Sequence, residues 1–221
     1  MPAIAAPRKP SRTLLPRFQA PRADVAKIAA TVIQNPGSAP ELLEGLSSKV
    51  VRIRLGCAKA LRLISEQSPT LLYAHFDAFV SMLDNENSFL RWDAMRIIAN
   101  MAAVDHQERI EKILDRFLEP ITAHEMIGAA TCIQAAARIA QAKPHLADAL
   151  AREILKVEYG VFKTPECQNV AIGHAIVALD QFFREIRELR QDVIEFILRQ
   201  RANSRAATRR KAEAFFEKGT L

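Results

Sequence analysis

Two dipeptides in the chain pair side chains that enzymes use for chemistry. Trp92-Asp93 sets an indole beside a carboxylate, and an enzyme acting on nucleobases uses such groups to stack the base and to move a proton. Trp92, however, belongs to a column of residues that recurs along the chain. The other members of that column are all apolar, namely Leu55, Ala130, Val170 and Ala207. The column predicts that Trp92 packs between repeated elements instead of lining an active site.

His124-Glu125 joins two side chains that bind metal ions. A metal centre needs several such ligands to converge, whereas this dipeptide occurs once and the histidines show no HExxH or Cys/His spacing. The three cysteines, Cys57, Cys132 and Cys167, are odd in number and far apart, which disfavours a disulfide framework and a zinc site. We therefore predict no catalytic residue, no metal and no cofactor, in a protein of a reducing compartment such as the cytoplasm.

A third set of residues is polar at every copy of a position that recurs at intervals of 37–40 residues. We call this set the polar row, and its members are Lys59, Arg96, Gln134, His174 and Lys211. Asp93, Asn100 and Arg138 flank the row on neighbouring helical turns. The row predicts a groove on the concave wall of a helical array, suited to an extended acidic or polar partner such as a peptide. Alternatively, the row is an exposed face that is polar because it meets water.

The net charge of +6 is concentrated at the two ends of the chain. Residues 1–22 carry five basic side chains and residues 199–211 carry six, with no acidic residue in either segment, whereas residues 23–198 carry 19 basic and 23 acidic ones. A protein that binds nucleic acid along its whole length usually has a basic body too. Nucleic-acid binding is therefore an alternative that would use the ends, although the same arginines would also solvate an exposed final helix. The candidate residues at the basic end are Arg205, Arg209 and Arg210.

The column that contains Trp92 is part of a segment that recurs five times. The copies are LGCAKALRLIS (55–65), WDAMRIIANMA (92–102), ATCIQAAARIA (130–140), VAIGHAIVALD (170–180) and ATRRKAEAFFE (207–217). Small or apolar residues fill three of their columns, spaced so that they lie on one helix face. The last copy breaks this stripe with Arg209, as expected of a terminal repeat with a wetter outer face.

Each copy follows another segment with its own apolar face, and turn-forming residues separate the segments. A helix pair that recurs every 37–40 residues indicates an α-solenoid, in which every pair buries its faces against its neighbours. We predict an all-α superhelix of about five helical hairpins within residues 23–218, a disordered basic Pro-rich arm at 1–22 and a tail at 219–221. The predicted repeats are 39–66, 69–103, 105–141, 145–182 and 187–218.

The segment FVSMLDNENSFLRWDAMRIIANMA (79–102) resembles a HEAT or armadillo-like repeat. In such a repeat the first helix ends in Leu, an Asp/Asn turn follows, and the second helix opens with a hydrophobe, an Arg and a small residue. Leu83, Asp84, Leu90, Arg91 and Ala94 occupy these places. The resemblance covers about residues 24–218 and implies a HEAT-like fold, but no particular activity.

The resemblance leaves several functions open. We predict a non-enzymatic scaffold or adaptor that binds a protein or peptide partner, with nucleic-acid binding as the alternative. Two enzyme classes with HEAT-like folds come third: an alkylpurine DNA glycosylase would act through Trp92-Asp93, and a deoxyhypusine hydroxylase would bind iron through His124-Glu125. No apolar run approaches the roughly 18–20 residues that a membrane span needs, so we expect no membrane partner.

Overall fold

The computed structural model of the protein describes residues 13–218, and within that range it contains twelve α-helices and no strand. The helices are α1 (Val25–Gln34), α2 (Ala39–Gly45), α3 (Val51–Gln67), α4 (Thr70–Tyr73), α5 (Phe76–Met82), α6 (Ser88–Met101), α7 (Leu114–Leu118), α8 (Met126–Ala142), α9 (Ala147–Leu155), α10 (Pro165–Gln181), α11 (Arg190–Arg199) and α12 (Ala206–Glu217). The predicted all-α solenoid is confirmed.

The five recurring segments lie on α3, α6, α8, α10 and α12, and we call these the second helices. They pack side by side in chain order, so each one touches the next. The small residues of the predicted stripe explain this close stacking, because Cys57, Ala94, Cys132 and Ala212 are fully buried where the helices meet. Helix α1 packs against α3 as well, so the layer of second helices extends one helix beyond the five predicted hairpins.

The helices that precede the second helices in the chain form another layer, packed on the layer of second helices. We call them the first helices, and they are shorter than the apolar pattern predicts. The segment predicted as one helix at 69–83 is divided into α4 and α5, and the segment at 105–121 contains only the short α7 flanked by 3-10 turns. Asp105 is responsible for the second difference. Its carboxylate accepts hydrogen bonds from the backbone amides of Arg109 and Ile110, and this local turn replaces the first turn of a helix.

Three of the second helices begin with the same side-chain clamp. Arg91 Nη1 donates to the carbonyl oxygens of Asn85 and Glu86 at 2.7 and 3.1 Å. Arg209 Nη1 donates in the same way to the carbonyls of Asn203 and Ser204, at 2.7 and 3.0 Å. Arg54 Nη1 donates to the carbonyl of Ser48 at 2.8 Å. The clamp closes the turn that precedes each helix, because it satisfies carbonyls that no helical amide can reach.

The clamp corrects the predicted register of the last repeat. Arg209 is equivalent to Arg91, since both donate to carbonyls six and five residues earlier, whereas the sequence alignment put Arg209 three residues away from that position, in the core stripe. The shift carries through the rest of α12. Phe215 is therefore buried, and Phe216, the predicted core residue, is partly exposed.

A buried polar cluster joins the second, third and fourth repeats. Asp105 accepts a hydrogen bond from Tyr73 Oη at 2.6 Å and lies 3.2 Å from Lys143 Nζ, which also contacts Glu111 at 2.8 Å. Burial raises the pKa of Asp105, but hydrogen bonds from Tyr73, from the backbone and from Lys143 outweigh it, so the pKa falls below its usual value. The cluster therefore holds an ionised carboxylate inside the array.

The last part of the predicted arm at 1–22 is packed on the array. Leu14 and Phe18 are buried, and the 3-10 turn Leu15–Gln19 packs on α3. Gly56 makes room for it, since a Cβ there would lie 2.4 Å from Cδ1 of Phe18. The prediction of a loose arm is thus wrong for this segment, because Leu14 and Phe18 cover the end of the core. Residues 1–12 of the predicted arm and the tail at 219–221 lie outside the described residues.

Candidate functional site

The five residues of the polar row lie on the second helices, but the clamp makes Lys211 equivalent to Asp93 instead of Arg96, so only the first four are in register. The five residues also differ in exposure. Lys59 and Gln134 are exposed, whereas Arg96, His174 and Lys211 are partly buried. The flanking residues also differ, since Arg138 is exposed, Asp93 is partly buried and Asn100 is 7% exposed. The row is therefore a mixture of open and engaged side chains.

An ion pair and a hydrogen bond connect the first three second helices across the row. Asp93 on α6 lies 3.2 Å from Nε of Arg62 on α3 and 3.5 Å from Nη1 of Arg96. Arg96 also donates to Oγ1 of Thr131 on α8 at 3.3 Å. Burial raises the pKa of Asp93, and the two guanidinium groups partly offset that rise. Asp93 is thus bound by two arginines, and its ion pair with Arg62 links α6 to α3.

A small pocket lies at the centre of the row, between α6 and α8. Its volume is about 180 Å³. Asn100 forms part of the wall, where its Nδ2 donates to Oγ of Ser65 at 2.7 Å. The charged and amide side chains that line the pocket are Glu66, Arg96, Asn100, Gln134 and Arg138.

The C-terminal half of the row is bonded within the protein. Gln134 Nε2 lies 3.1 Å from Nδ1 of His174, and Lys211 Nζ donates to the carbonyl of Gly173 at 3.0 Å. Burial lowers the pKa of both His174 and Lys211, and the nearby Arg205 lowers them further. These residues are therefore less suited to bind a partner than the other half of the row.

Two charged residues of this face remain open. Lys59 and Arg138 are exposed, and neither has a hydrogen bond or ion pair with any other residue in the range 13–218. The two carboxylates of Glu66 and Asp93, in contrast, are balanced by the two guanidinium groups of Arg62 and Arg96. The N-terminal and central part of the row consequently presents uncompensated positive charge to solvent.

The predicted basic end is mostly engaged. Arg205 Nε pairs with Glu166 at 2.7 Å, and Arg209 donates to the two turn carbonyls of its clamp. Of the three candidate arginines, only Arg210 is exposed without a partner among the described residues. The basic composition of this segment therefore supports its own turn and the preceding repeat more than it provides a phosphate-binding surface.

The two candidate reactive dipeptides are also engaged in structural contacts. Trp92 packs edge-on against Phe89, with ring centroids 5.1 Å apart, and its indole N–H is buried without an acceptor in the described part of the chain. Glu125 pairs with Arg91 at 3.1 Å, and His124 is exposed. Within residues 13–218, no group of three His, Cys, Asp or Glu side chains is placed to hold a metal ion.

The sequence interpretation missed Arg62, Glu66, Ser65 and Thr131, which complete the polar network. Arg62 and Glu66 are four residues apart on α3, a spacing that predicts a helical ion pair. Their further partners are more than 30 residues away in the chain, and no local pattern identifies those.

The part of the chain between 13 and 218 contains no helix long and apolar enough to cross a membrane.

Comparison with solved structures supports the architecture. The chain is similar to an engineered protein from the Northeast Structural Genomics Consortium, with a TM-score of 0.53, 20% identity and coverage of 88% of this chain and 86% of that one. It is also similar to a designed armadillo repeat protein in complex with the peptide (KR)4, with a TM-score of 0.55, 14% identity and coverage of 92% and 96%.

No protein-family model and no curated protein matches the chain. The structural similarities have low sequence identity, and they therefore concern the fold. The stacked second helices and these neighbours show that the chain has an armadillo-like α-solenoid fold.

Proposed function

We propose that the protein is a non-enzymatic scaffold or adaptor, and that it binds an acidic protein segment or peptide on the face formed by its second helices. One observation carries the proposal: Lys59 and Arg138 are exposed cations without partners among residues 13–218, and Arg138 lines a pocket together with Arg96, Asn100 and Gln134. Amide and guanidinium donors in such a pocket suit the carbonyls and carboxylates of an extended chain.

The similar fold of the designed armadillo protein adds support, because that protein is in complex with a peptide. Its peptide, (KR)4, is basic, whereas the open charges on the present face are positive. Electrostatic complementarity therefore favours a partner of the opposite sign. The three unpaired cysteines fit a reducing compartment such as the cytoplasm.

The proposal can be tested with a fluorescein-labelled peptide that repeats Ser-Asp-Asp and a neutral counterpart that repeats Ser-Asn-Asn. We expect the acidic peptide to bind more tightly, with an affinity that falls as salt is added. Lys59→Glu and Arg138→Glu should each weaken its binding about fivefold, the loss expected for a solvent-exposed charge pair. Arg152→Glu is the matched control, since Arg152 is exposed on α9 and has no partner in the described range.

Equal binding of the two peptides, or an equal loss with Arg152→Glu, would contradict the proposal. A single-stranded oligonucleotide serves as the competing probe. If it bound more tightly than the acidic peptide and Arg210→Glu abolished that binding, the nucleic-acid alternative would replace the proposal.

A further inference from the structure

Most of the exposed large apolar side chains lie at one edge of the array. Among residues 13–218, eight large hydrophobic residues are exposed, and five of them lie at the N-terminal ends of second helices or in the loop just before. We call these five the apolar edge, and they are Val50, Val51, Phe89, Ile127 and Val161. Their exposed fractions run from 46% for Val50 to 63% for Val161.

The apolar edge forms a row because the helices that bear it are neighbours. Val50 and Val51 are at the start of α3. Phe89 is the second residue of α6, and Ile127 is the second residue of α8. Val161 lies in the loop before α10. Since α3, α6, α8 and α10 pack side by side, the edge runs across four consecutive repeats. Isolated exposed hydrophobic residues are common on protein surfaces, but an aligned row of them is typical of an interaction site.

Two residues of the apolar edge, Phe89 and Ile127, lie on the same helix face as the polar row. Phe89, Asp93 and Arg96 are spaced i, i+4, i+7 along α6, and residues with that spacing share a face. Ile127, Thr131 and Gln134 repeat the same spacing along α8. On these two helices the face is therefore divided into two parallel bands. One band is apolar and lies at the helix starts, and the other is polar and lies one to two turns further along.

Phe89 broadens the apolar band by its contact with Trp92. The two rings meet edge to face with their centroids 5.1 Å apart, and Phe89 remains 60% exposed. An aromatic pair of this kind offers a large and rigid surface to an incoming side chain. The pair lies on α6, and the pocket of the polar row begins at Arg96 on the same helix.

We propose that the apolar edge is the hydrophobic half of the partner site, and that the partner is an extended acidic segment with a large apolar residue at every third position. The inference rests on the proposed function and specifies its partner. Neighbouring packed helices lie about 8–10 Å apart, and a polyproline-II segment advances about 9 Å in its three-residue turn. Apolar residues three apart would thus reach Phe89 and Ile127 in succession, while the acidic residues between them face the cationic side of the same surface, where Lys59 is open.

The experiment compares three labelled peptides on the full-length protein by fluorescence anisotropy. The first repeats Leu-Asp-Asp, the second repeats Ser-Asp-Asp, and the third has the composition of the first with all its leucines at one end. We expect the first to bind about tenfold more tightly than the other two, the gain from burying a leucine side chain against the edge. The double variant Phe89→Ser, Ile127→Ser should remove that gain and leave the affinity for Ser-Asp-Asp unchanged.

Leu198→Ser is the matched control, because Leu198 is 50% exposed on α11 in the other layer. All three substituted side chains are exposed, so thermal unfolding curves should show that the variants remain folded. Loss of the tenfold gain with Leu198→Ser would overturn the inference.

The other outcomes separate this inference from the proposed function. Equal binding of the Leu-Asp-Asp and Ser-Asp-Asp peptides overturns the role of the edge but leaves acidic-peptide binding standing. Equal binding of the clustered peptide overturns the three-residue period. Absence of binding by all three peptides overturns both proposals. Sedimentation with phosphatidylserine vesicles that is lost in the double variant, without any preference among peptides, would assign the edge to a lipid surface instead.

Discussion

Arg209 donates to the carbonyl of Asn203, six residues earlier, at the same 2.7 Å distance at which Arg91 donates to Asn85. The two Asn side chains are equivalent as well, since each Oδ1 accepts the backbone N–H two residues later. The last repeat therefore retains the turn of the second repeat, although the columns of the sequence alignment separate them.

Arg91→Met should destabilise the protein by about 1–2 kcal/mol, because it leaves the carbonyls of Asn85 and Glu86 without their charged donor. Urea unfolding followed by circular dichroism measures the effect. Arg152→Met, at an exposed arginine without a partner in the described chain, should be close to neutral. If both variants unfold at the wild-type midpoint, the clamp does not contribute to stability.

Asp105→Asn should destabilise the fold by about 3 kcal/mol, since it removes one of the two carboxylates that compensate Lys143 inside the array. Because the folded pKa of Asp105 lies below its usual 3.8, its stabilisation is complete above that value and is lost as the pH falls through the folded pKa. Unfolding free energies measured from neutral to acidic pH should therefore fall less steeply in the variant. Asp115→Asn, at an exposed carboxylate, should keep the wild-type acid profile, and an unchanged profile for Asp105→Asn would contradict the prediction.

Phe18→Ala tests whether the N-terminal segment belongs to the core. Phe18 is 1% exposed and packs beside Gly56, so its truncation should cost about 3–5 kcal/mol. The loss should be visible as a lower midpoint in thermal or urea unfolding. Gln19→Ala, at the exposed neighbouring side chain, is expected to be nearly silent. A stability equal to that of the wild type would mean that residues 13–20 are not part of the core and belong to the disordered arm predicted from the sequence.

The three cysteines should react at different rates with a thiol reagent such as DTNB. Burial, aided by Glu41, raises the pKa of Cys57 to about 12, and burial raises that of Cys132 as well, so neither forms a thiolate in the folded protein near neutral pH. Cys167 is partly exposed. We expect one thiol to react quickly in the native state and three after unfolding in guanidinium chloride. Rapid reaction of a second thiol, or of any thiol in Cys167→Ser, would show that the stacked helices open readily.

The sequence by itself determined the repeat, the helical character of the chain and the buried stripe. These features follow from local spacing, because apolar residues at i, i+3 and i+7 lie on one face of any helix and must be buried together. Cys57, Ala94 and Cys132 were identifiable as contact residues for this reason, and so was the position of the polar row.

The tertiary structure alone decided which polar residues are open and which are engaged. Arg62 meets Asp93, Gln134 meets His174 and Arg205 meets Glu166, in pairs separated by 31 to 40 residues. Such pairings depend on how neighbouring repeats are stacked, and no local periodicity encodes that geometry. The repeat places Phe89 and Ile127 in equivalent positions, but only the structure showed that both side chains are exposed at neighbouring helix starts.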